Sequence, residues 1–244
     1  MKTLFPAVMA LALAALTFQT RAAYYDPITS AKAIATQQAL SQNGADVGVL
    51  NSVMPDNGGA NTEMYSTTQM NYMVENGLVK KIVAVQDHCQ FVSDIEDRAR
   101  ILKIPVFMFA WGDMLTDGIC VRRDEELGLS YIRRAADEVY APAIERLAFY
   151  YEKGLFFRQD LRKAENLMHT AAALGSPIGR LNWADMLIRG FGTPLQYAEA
   201  YGWLYHVRFD DAYRRDKQRY LQQELSSRMP AHAIARMNLS GYDR

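Results

Sequence analysis

Apolar and small residues recur through the second half of the chain at a fixed spacing of 36 residues. The motif Trp-x-Asp-Met-Leu at 111–115 returns at 183–187, which is twice that spacing. Three further sets of residues recur at steps of 36. The glycines are Gly118, Gly154 and Gly190, the small residues are Gly128, Ala164 and Ala200, and the large apolar residues are Tyr131, Leu167 and Trp203. A period of this size predicts an all-α solenoid of about three stacked, tetratricopeptide-like helical hairpins, because one hairpin cannot bury its own apolar stripe.

Proline, glycine and aspartate divide these predicted hairpins into two helices each, over residues 105–209. The first helices are predicted to open near Pro105, Pro142 and Pro177 and to end at the three periodic glycines. Proline suits a first helical turn and glycine a left-handed helix end. The second helices are predicted to start near Asp124, Asp160 and Tyr197. An aspartate at that position accepts hydrogen bonds from free amides of the first turn.

The two flanking segments carry helical patterns that predict caps on the solenoid. Residues 64–104 are expected to form an N-terminal cap, with a capping box at 66–69, a helix end at Gly77 and a second helix from Asp87 to about Leu102. Residues 82–85 fit either a strand or a helix. Residues 210–244 are expected to form a C-terminal capping helix and a tail. The N-terminal helix is predicted to place four residues on one face: Phe91, Ile95, Arg98 and Leu102. The C-terminal helix is predicted to face inward with Tyr213, Tyr220, Leu221 and Leu225.

The N-terminal 63 residues lack the repeat. Residues 1–22 combine Lys2, an uncharged apolar run and small residues before a cut after Ala22, which predicts a secretory signal peptide. An uncleaved membrane anchor is the weaker alternative, because the apolar run is shorter than the ~20 residues that span a bilayer. Residues 23–63 are expected to form a flexible N-terminal arm.

The balanced charge argues against a nucleic-acid-binding protein, and the lack of known catalytic motifs in the sequence argues against an enzyme. Lys and Arg number 27, as do Asp and Glu, so the formal net charge of zero points away from a nucleic-acid partner. The basic run at 214–219 is interpreted as a solvated helix face. The sequence has no metalloprotease, nucleophile-elbow or phosphate-loop motif, so we expect a protein that is not an enzyme and needs no cofactor or metal.

Two cysteines and two adjacent phenylalanines are the candidate site residues. In an exported chain Cys89 and Cys120 favour a disulfide, although two inert thiols, or a weak metal site with His88, remain alternatives. A disulfide would fasten the N-terminal cap to the first hairpin. Phe156 and Phe157 lie in a predicted turn, where one ring either fills the gap between hairpins or both rings contact a partner.

The middle repeat resembles the Sel-one-like repeat, a relative of the tetratricopeptide repeat. The matching positions are Leu147-Ala148, Tyr151, Gly154, Asp160, Lys163-Ala164 and Ala171-Ala172. The third repeat departs from the pattern, with Gln196 in place of the aspartate and Arg208 in place of the last alanine.

The cysteine-framed segment resembles a narrower family. Asp87-His88-Cys89-Gln90, 112–115 and 118–121 are similar to the MotX family, exported proteins of sodium-driven polar flagellar motors, and the similarity extends over roughly 64–236. It implies a structural disulfide and a non-enzymatic periplasmic scaffold in the T ring of the flagellar basal body. It also implies assembly in a ring and recruitment of stator units, with a MotY-like T ring protein and the periplasmic region of a PomB-like stator B subunit as partners. The alternative is a generic periplasmic repeat adaptor that binds envelope proteins.

Overall fold

The computed structural model describes the backbone of residues 65–239 and the side chains of residues 65–235. The predicted signal peptide (1–22) and the predicted arm (23–63) therefore lie outside the described residues. Within the described residues the chain is helical and has no strand, and no helix is both long and apolar enough to cross a membrane.

Ten α-helices, one π-helical segment and one 3₁₀ turn make up the described part of the chain. In order they are α1 Thr67–Glu75, the π-helical segment Lys80–Gln86, α2 Val92–Arg100, α3 Pro105–Asp117, α4 Glu125–Asp137, α5 Ala141–Lys153, α6 Leu161–Ala173, α7 Pro177–Ile188, the 3₁₀ turn Pro194–Gln196, α8 Tyr197–Tyr205, α9 Ala212–Ser227 and α10 Ala231–Leu239. Sequential helices pack on each other from α2 through α8, and α9 packs on α7 and α8. The predicted all-α repeat solenoid is confirmed.

The turns form where local backbone chemistry predicts them. Gly118 and Gly154 end α3 and α5 with left-handed φ angles of 72° and 68°. Asp124 Oδ1 accepts the amide of Leu127 at 3.0 Å, and the side chain of Asp160 caps α6 in the same way. The first helix of the third hairpin is shorter than predicted, because α7 ends at Ile188 and Gly190 lies beyond its C-cap.

A different cap replaces the missing aspartate of the third repeat. Thr193 and Gln196 form a reciprocal capping box around the 3₁₀ turn, and the Gln196 side chain accepts the amide of Thr193 at 2.7 Å. α8 then begins at Tyr197, as predicted. Gln196 therefore preserves the turn with an amide side chain that caps the 3₁₀ turn, where the other two hairpins use an aspartate at the N-cap.

The hydrophobic core follows the small and large registers of the repeat. Trp183 is fully buried, and it lies in a cluster with Ala184, Ala200 and Leu204. The large-residue register is less uniform, because Tyr131 is 6% exposed whereas Leu167 and Trp203 are only partly buried against the core. Stacking of the hairpins thus buries a continuous interior that no single hairpin contains.

The N-terminal flank differs from its prediction at two points. The predicted helix from Asp87 to Leu102 is wrong at both ends, because α2 spans only Val92–Arg100. His88 and Cys89 have φ angles of 49° and 63°, which a right-handed helix does not permit. Leu102 lies beyond the helix end and is 63% exposed, so it does not continue the face on which Ile95 and Arg98 are buried.

The C-terminal flank also corrects its prediction. Leu221 and Leu225 are buried, but Tyr213 and Tyr220 are 48% and 56% exposed, so their predicted inward position is wrong. At about 100° per residue, Tyr220 lies a quarter turn or more from the Leu221–Leu225 stripe. The predicted tail contains a further helix, α10, which contacts α8.

Candidate functional site

A disulfide joins the N-terminal flank to the first hairpin. Cys89 lies in the turn before α2, Cys120 lies in the loop between α3 and α4, and their Cα atoms are 5.5 Å apart. The structure holds the pair as a disulfide, so neither sulfur is a free thiol or a metal ligand. Among the described residues, no group of three or more histidine, cysteine, aspartate or glutamate side chains could hold a metal ion.

The residue two positions after each turn glycine has a positive φ angle in all three hairpins. The φ angles are 61° at Cys120, 61° at Phe156 and 96° at Gly192. This position carries a disulfide in the first loop, an aromatic ring in the second and no side chain in the third. Only the first two loops carry a side chain at this position that can bind another segment.

Phe156 projects partly into solvent from the second loop. Its side chain is 39% exposed, and its ring meets the Tyr150 ring edge-on at 4.8 Å between centroids. Its backbone has a φ of 61°, which is uncommon for a residue other than glycine.

Phe157 takes the opposite role and joins two hairpins. Its ring stacks on Tyr151 at 4.6 Å, and the guanidinium of Arg133, on the second helix of the preceding hairpin, lies 4.9 Å from its centroid. Lys163 Nζ contacts the Tyr151 hydroxyl at 2.8 Å and so extends the stack. Phe157 is thus partly committed to packing, whereas Phe156 offers the more accessible ring.

Ion pairs connect the first helices of the three hairpins with one another and the last of them with α9. Asp113 on α3 pairs with Arg146 on α5, Glu152 on α5 accepts from Arg189 at 2.8 Å, and Asp185 on α7 lies 3.8 Å from Lys217 on α9: we call these pairs the ion-pair ladder. The repeated aspartates thus act in packing. Burial acts to raise the pKa of Glu152, but hydrogen bonds from Arg189 and Lys153 hold that pKa below its ordinary value.

Glu145 is a second carboxyl group between hairpins. It accepts a hydrogen bond from the hydroxyl of Ser176, the N-cap residue of α7. Burial raises the pKa of Glu145 to about 7, against the opposing effects of the Ser176 hydroxyl, the Gly179 amide and Arg146, while Glu75 adds to the rise. This group therefore titrates close to neutral pH, unlike an ordinary surface glutamate.

A cleft at the C-terminal end of the solenoid contains residues that the sequence did not bring together. Tyr205, Arg208, Arg215, Gln218, Arg219 and Gln222 line a volume of about 410 Å³ between the end of α8 and α9. The one sequence signal for it is Arg208, which breaks the alanine register of the second helices. The rest of the cleft depends on how α9 folds back against α8.

The stacked hairpins, their glycine turns and their aspartate caps define a Sel1 repeat protein. The Sel1 repeat model matches residues 105–139 and 141–176, the first two hairpins. The crystal structure of a Sel1 repeat protein from Oxalobacter formigenes is 15% identical in sequence, covers 60% of this chain and 96% of that one, and superposes with a TM-score of 0.39.

A curated relative defines the family more narrowly. The chain is 35% identical over 179 residues to the sodium-type polar flagellar protein MotX of Vibrio parahaemolyticus serotype O3:K6 (strain RIMD 2210633), across 73% of this chain and 84% of that protein. The chain belongs to the MotX family. The resemblance predicted from the cysteine-framed segment is thereby confirmed.

Proposed function

We propose that this protein is a non-enzymatic scaffold of the polar flagellar motor that is exported to the periplasm and assembles in the T ring of the basal body. There it recruits or holds the stator units that drive rotation. The observation that carries this function is the 35% identity over 179 residues to a sodium-type polar flagellar protein. The predicted signal peptide at 1–22 supplies the export step.

The fold supports a scaffold. The ion-pair ladder connects α3, α5, α7 and α9, and the Cys89–Cys120 disulfide fastens the end at which a solenoid unfolds most easily. Such an array transmits load along stacked helices and keeps its loops in fixed positions. A motor scaffold under torque needs both properties.

The partners that fit this role are a MotY-like T ring protein, the periplasmic region of a PomB-like stator B subunit and the rings of the flagellar basal body. We assign Phe156 and Phe157 to a partner contact, with Phe156 as the ring that inserts and Phe157 as its support. Aromatic rings of this kind contribute much of the binding energy at protein interfaces. Copies of the chain are expected to assemble in a ring.

Deletion of the gene tests the motor function. Cells that lack the protein should assemble filaments and fail to swim, and a plasmid copy of the gene should restore swimming. Loss of filaments would contradict the proposal, because it would indicate a role in assembly. Normal swimming would contradict it as well.

Substitution of the exposed ring tests the partner contact. Phe156→Ala should reduce swimming and co-purification of stator proteins while the thermal midpoint of the purified chain changes little. Leu195→Ala is the matched control, because Leu195 is a large apolar residue in the next turn and is 92% exposed. Equal losses in the two variants, or no loss in either, would remove Phe156 from the contact.

The second candidate function is a generic periplasmic adaptor that binds envelope proteins. It is favoured by the Sel1 repeat match at 105–176, which by itself specifies no partner. Purified hook–basal bodies distinguish the two functions, because a motor scaffold should be present in them and a generic adaptor should be absent. The same preparation tests export, since the N-terminus of the assembled protein should be Ala23.

A further inference from the structure

The cleft between α8 and α9 concentrates guanidinium groups on one concave surface. Three of its six lining residues are arginines, namely Arg208, Arg215 and Arg219. The whole chain has equal numbers of basic and acidic residues, so a generally basic surface does not explain the cluster. Bringing three like charges together opposes folding unless another group compensates them.

Two of the lining side chains are held in place by backbone carbonyls. Gln218 Nε2 donates to the carbonyls of Leu204 and Val207 and so closes the end of α8. Arg215 Nη1 donates to the carbonyl of Phe209 at 3.2 Å and to that of Asp210. Because these acceptors are neutral, the Arg215 guanidinium is oriented without an ion pair to any residue from 65 to 235.

The other two arginines are available to an outside group. Arg208 is exposed and forms no ion pair with any residue from 65 to 235. Arg219 pairs with Asp216, but both side chains are mostly exposed, at 77% and 65%, and such a pair contributes little free energy and exchanges readily. An incoming anion can therefore engage both guanidinium groups at small cost.

The remaining basic residues of α9 behave differently. Arg214 pairs with Asp211 at 3.5 Å and Lys217 with Asp185 at 3.8 Å, and both basic side chains are less than one quarter exposed. The basic run at 214–219 is thus divided between structural ion pairs and the cleft. Its interpretation as one solvated helix face does not describe this division.

Arg208 replaces the last alanine of the repeat in the third hairpin. The corresponding positions of the earlier hairpins are Ala136 and Ala172, and Ala172 is fully buried under the next hairpin. At the third hairpin the chain turns into α9, so position 208 is exposed and can carry a long charged side chain. The arginine is therefore placed where the repeat stops and the cleft begins.

We propose that this cleft binds a carboxylate-rich segment of a protein partner. Arginine forks match planar carboxylates with two parallel hydrogen bonds. Gln222 and the half-exposed Tyr205 add amide and hydroxyl groups suited to a peptide backbone. The cleft is open to solvent and has no row of aromatic rings for stacking bases, which favours an acidic peptide over a nucleic acid.

Fluorescence polarisation with the purified full chain tests this binding. The probe is a fluorescein-labelled peptide of alternating glutamate and glycine at low salt. The double variant Arg208→Gln, Arg219→Gln should raise the dissociation constant of the peptide about tenfold or more. The matched control is Arg158→Gln, Arg162→Gln, which removes the same charge from two exposed arginines of the second hairpin and should change the constant less than about twofold.

Three outcomes would overturn the proposal. The first is no saturable binding of the peptide to the unchanged protein. The second is an equal loss of peptide affinity in both double variants, which would show that affinity depends on the overall charge of the protein and not on the cleft. The third is displacement of the peptide by polyphosphate more effectively than by unlabelled peptide, which would identify a phosphate-bearing ligand. The cleft would bind an acidic segment in a generic adaptor as well, so failure here leaves the motor function testable by deletion.

Discussion

Gly112 and Gly128 face each other across the first hairpin so closely that neither position has room for a side chain. A Cβ atom on Gly112 would lie 2.7 Å from the carbonyl oxygen of Gly128, and one on Gly128 would lie 2.6 Å from that of Gly112. The second hairpin has Ala148 and Ala164 at the same positions, both buried. The backbones of α3 and α4 therefore approach within contact distance at a point where the second hairpin accommodates two methyl groups.

Alanine at either glycine should destabilise the protein. An uncrowded helical glycine gains up to about 1 kcal/mol when replaced by alanine, because alanine restricts the unfolded chain. For Gly112→Ala or Gly128→Ala we expect instead a loss of about 1–3 kcal/mol in the free energy of unfolding, measured by urea denaturation. Ala148→Gly at the aligned position is the control and should lose about 1–2 kcal/mol, because it frees the backbone and removes a buried methyl group. Alanine is then favoured in the second hairpin and disfavoured in the first. A stabilising effect of either alanine would show that the helices separate freely.

Removal of the disulfide should lower stability substantially. The bond closes a loop with a sequence separation of 31 residues, and the chain-entropy model assigns about 3–4 kcal/mol to a loop of that size. The double variant Cys89→Ser, Cys120→Ser should unfold at correspondingly lower urea, and the unchanged protein in reductant should match it. Non-reducing and reducing gels should also differ in mobility. Alkylation of both thiols without reductant would contradict the bond.

Glu145 should make stability depend on pH near neutrality. Its pKa is raised from 4.5 to about 7, so between these values the folded chain binds the proton more tightly than the unfolded chain. The contribution is most favourable below the unfolded pKa and is lost as pH rises through 7. Because the side chain is only half-buried, we expect a loss of about 1–2 kcal/mol between about pH 5 and about pH 8.

The Glu145→Gln variant isolates this effect, because the amide does not titrate. Its free energy of unfolding should lack that component of the pH dependence, whereas Glu126→Gln on an exposed face of α4 should retain the slope of the unchanged protein. Chemical denaturation at a series of pH values measures both. Identical slopes for Glu145→Gln and the unchanged protein would assign the pH dependence to other groups.

Val139 is the clearest site for a stabilising substitution. It has a φ of 59° and is 56% exposed, whereas the corresponding position of the next hairpin is Gly175, with φ 89°. A β-branched side chain is strained in the left-handed region, so Val139→Gly should raise the free energy of unfolding by about 0.5–1.5 kcal/mol. Val85→Gly, at an exposed position in helical backbone, should lower it instead. A loss at Val139 would show that its side chain packs.

Much of the solenoid is predictable from the sequence because its turns obey local rules. Gly118 and Gly154 adopt the left-handed conformation, and Asp124 and Asp160 cap the helices that follow. Each of these events depends on a few neighbouring residues. The 36-residue register repeats those local events, and it therefore predicts the stacking of hairpins without any knowledge of the core.

Predictions that depend on which face of a helix meets another element were less successful. The sequence pattern of α9 is compatible with an inward face that includes Tyr213 and Tyr220, and also with one that contains only Leu221 and Leu225. In the structure α9 packs on α7 and α8 through the second of these faces. Leu102 followed the helical spacing of α2, but the helix ends at Arg100. Periodicity states which residues share a face and leaves the position of the helix end to the packing around it.

The sequence by itself determined the helical repeat, its turns and the family, because backbone preferences and periodic burial act between residues close in the chain. Only the tertiary structure decided that Cys89 lies within bonding distance of Cys120 and that Phe157 packs between hairpins. It also decided that Arg208 and Arg219 share one cleft. These juxtapositions depend on how distant helices pack, and packing is a property of the whole folded chain.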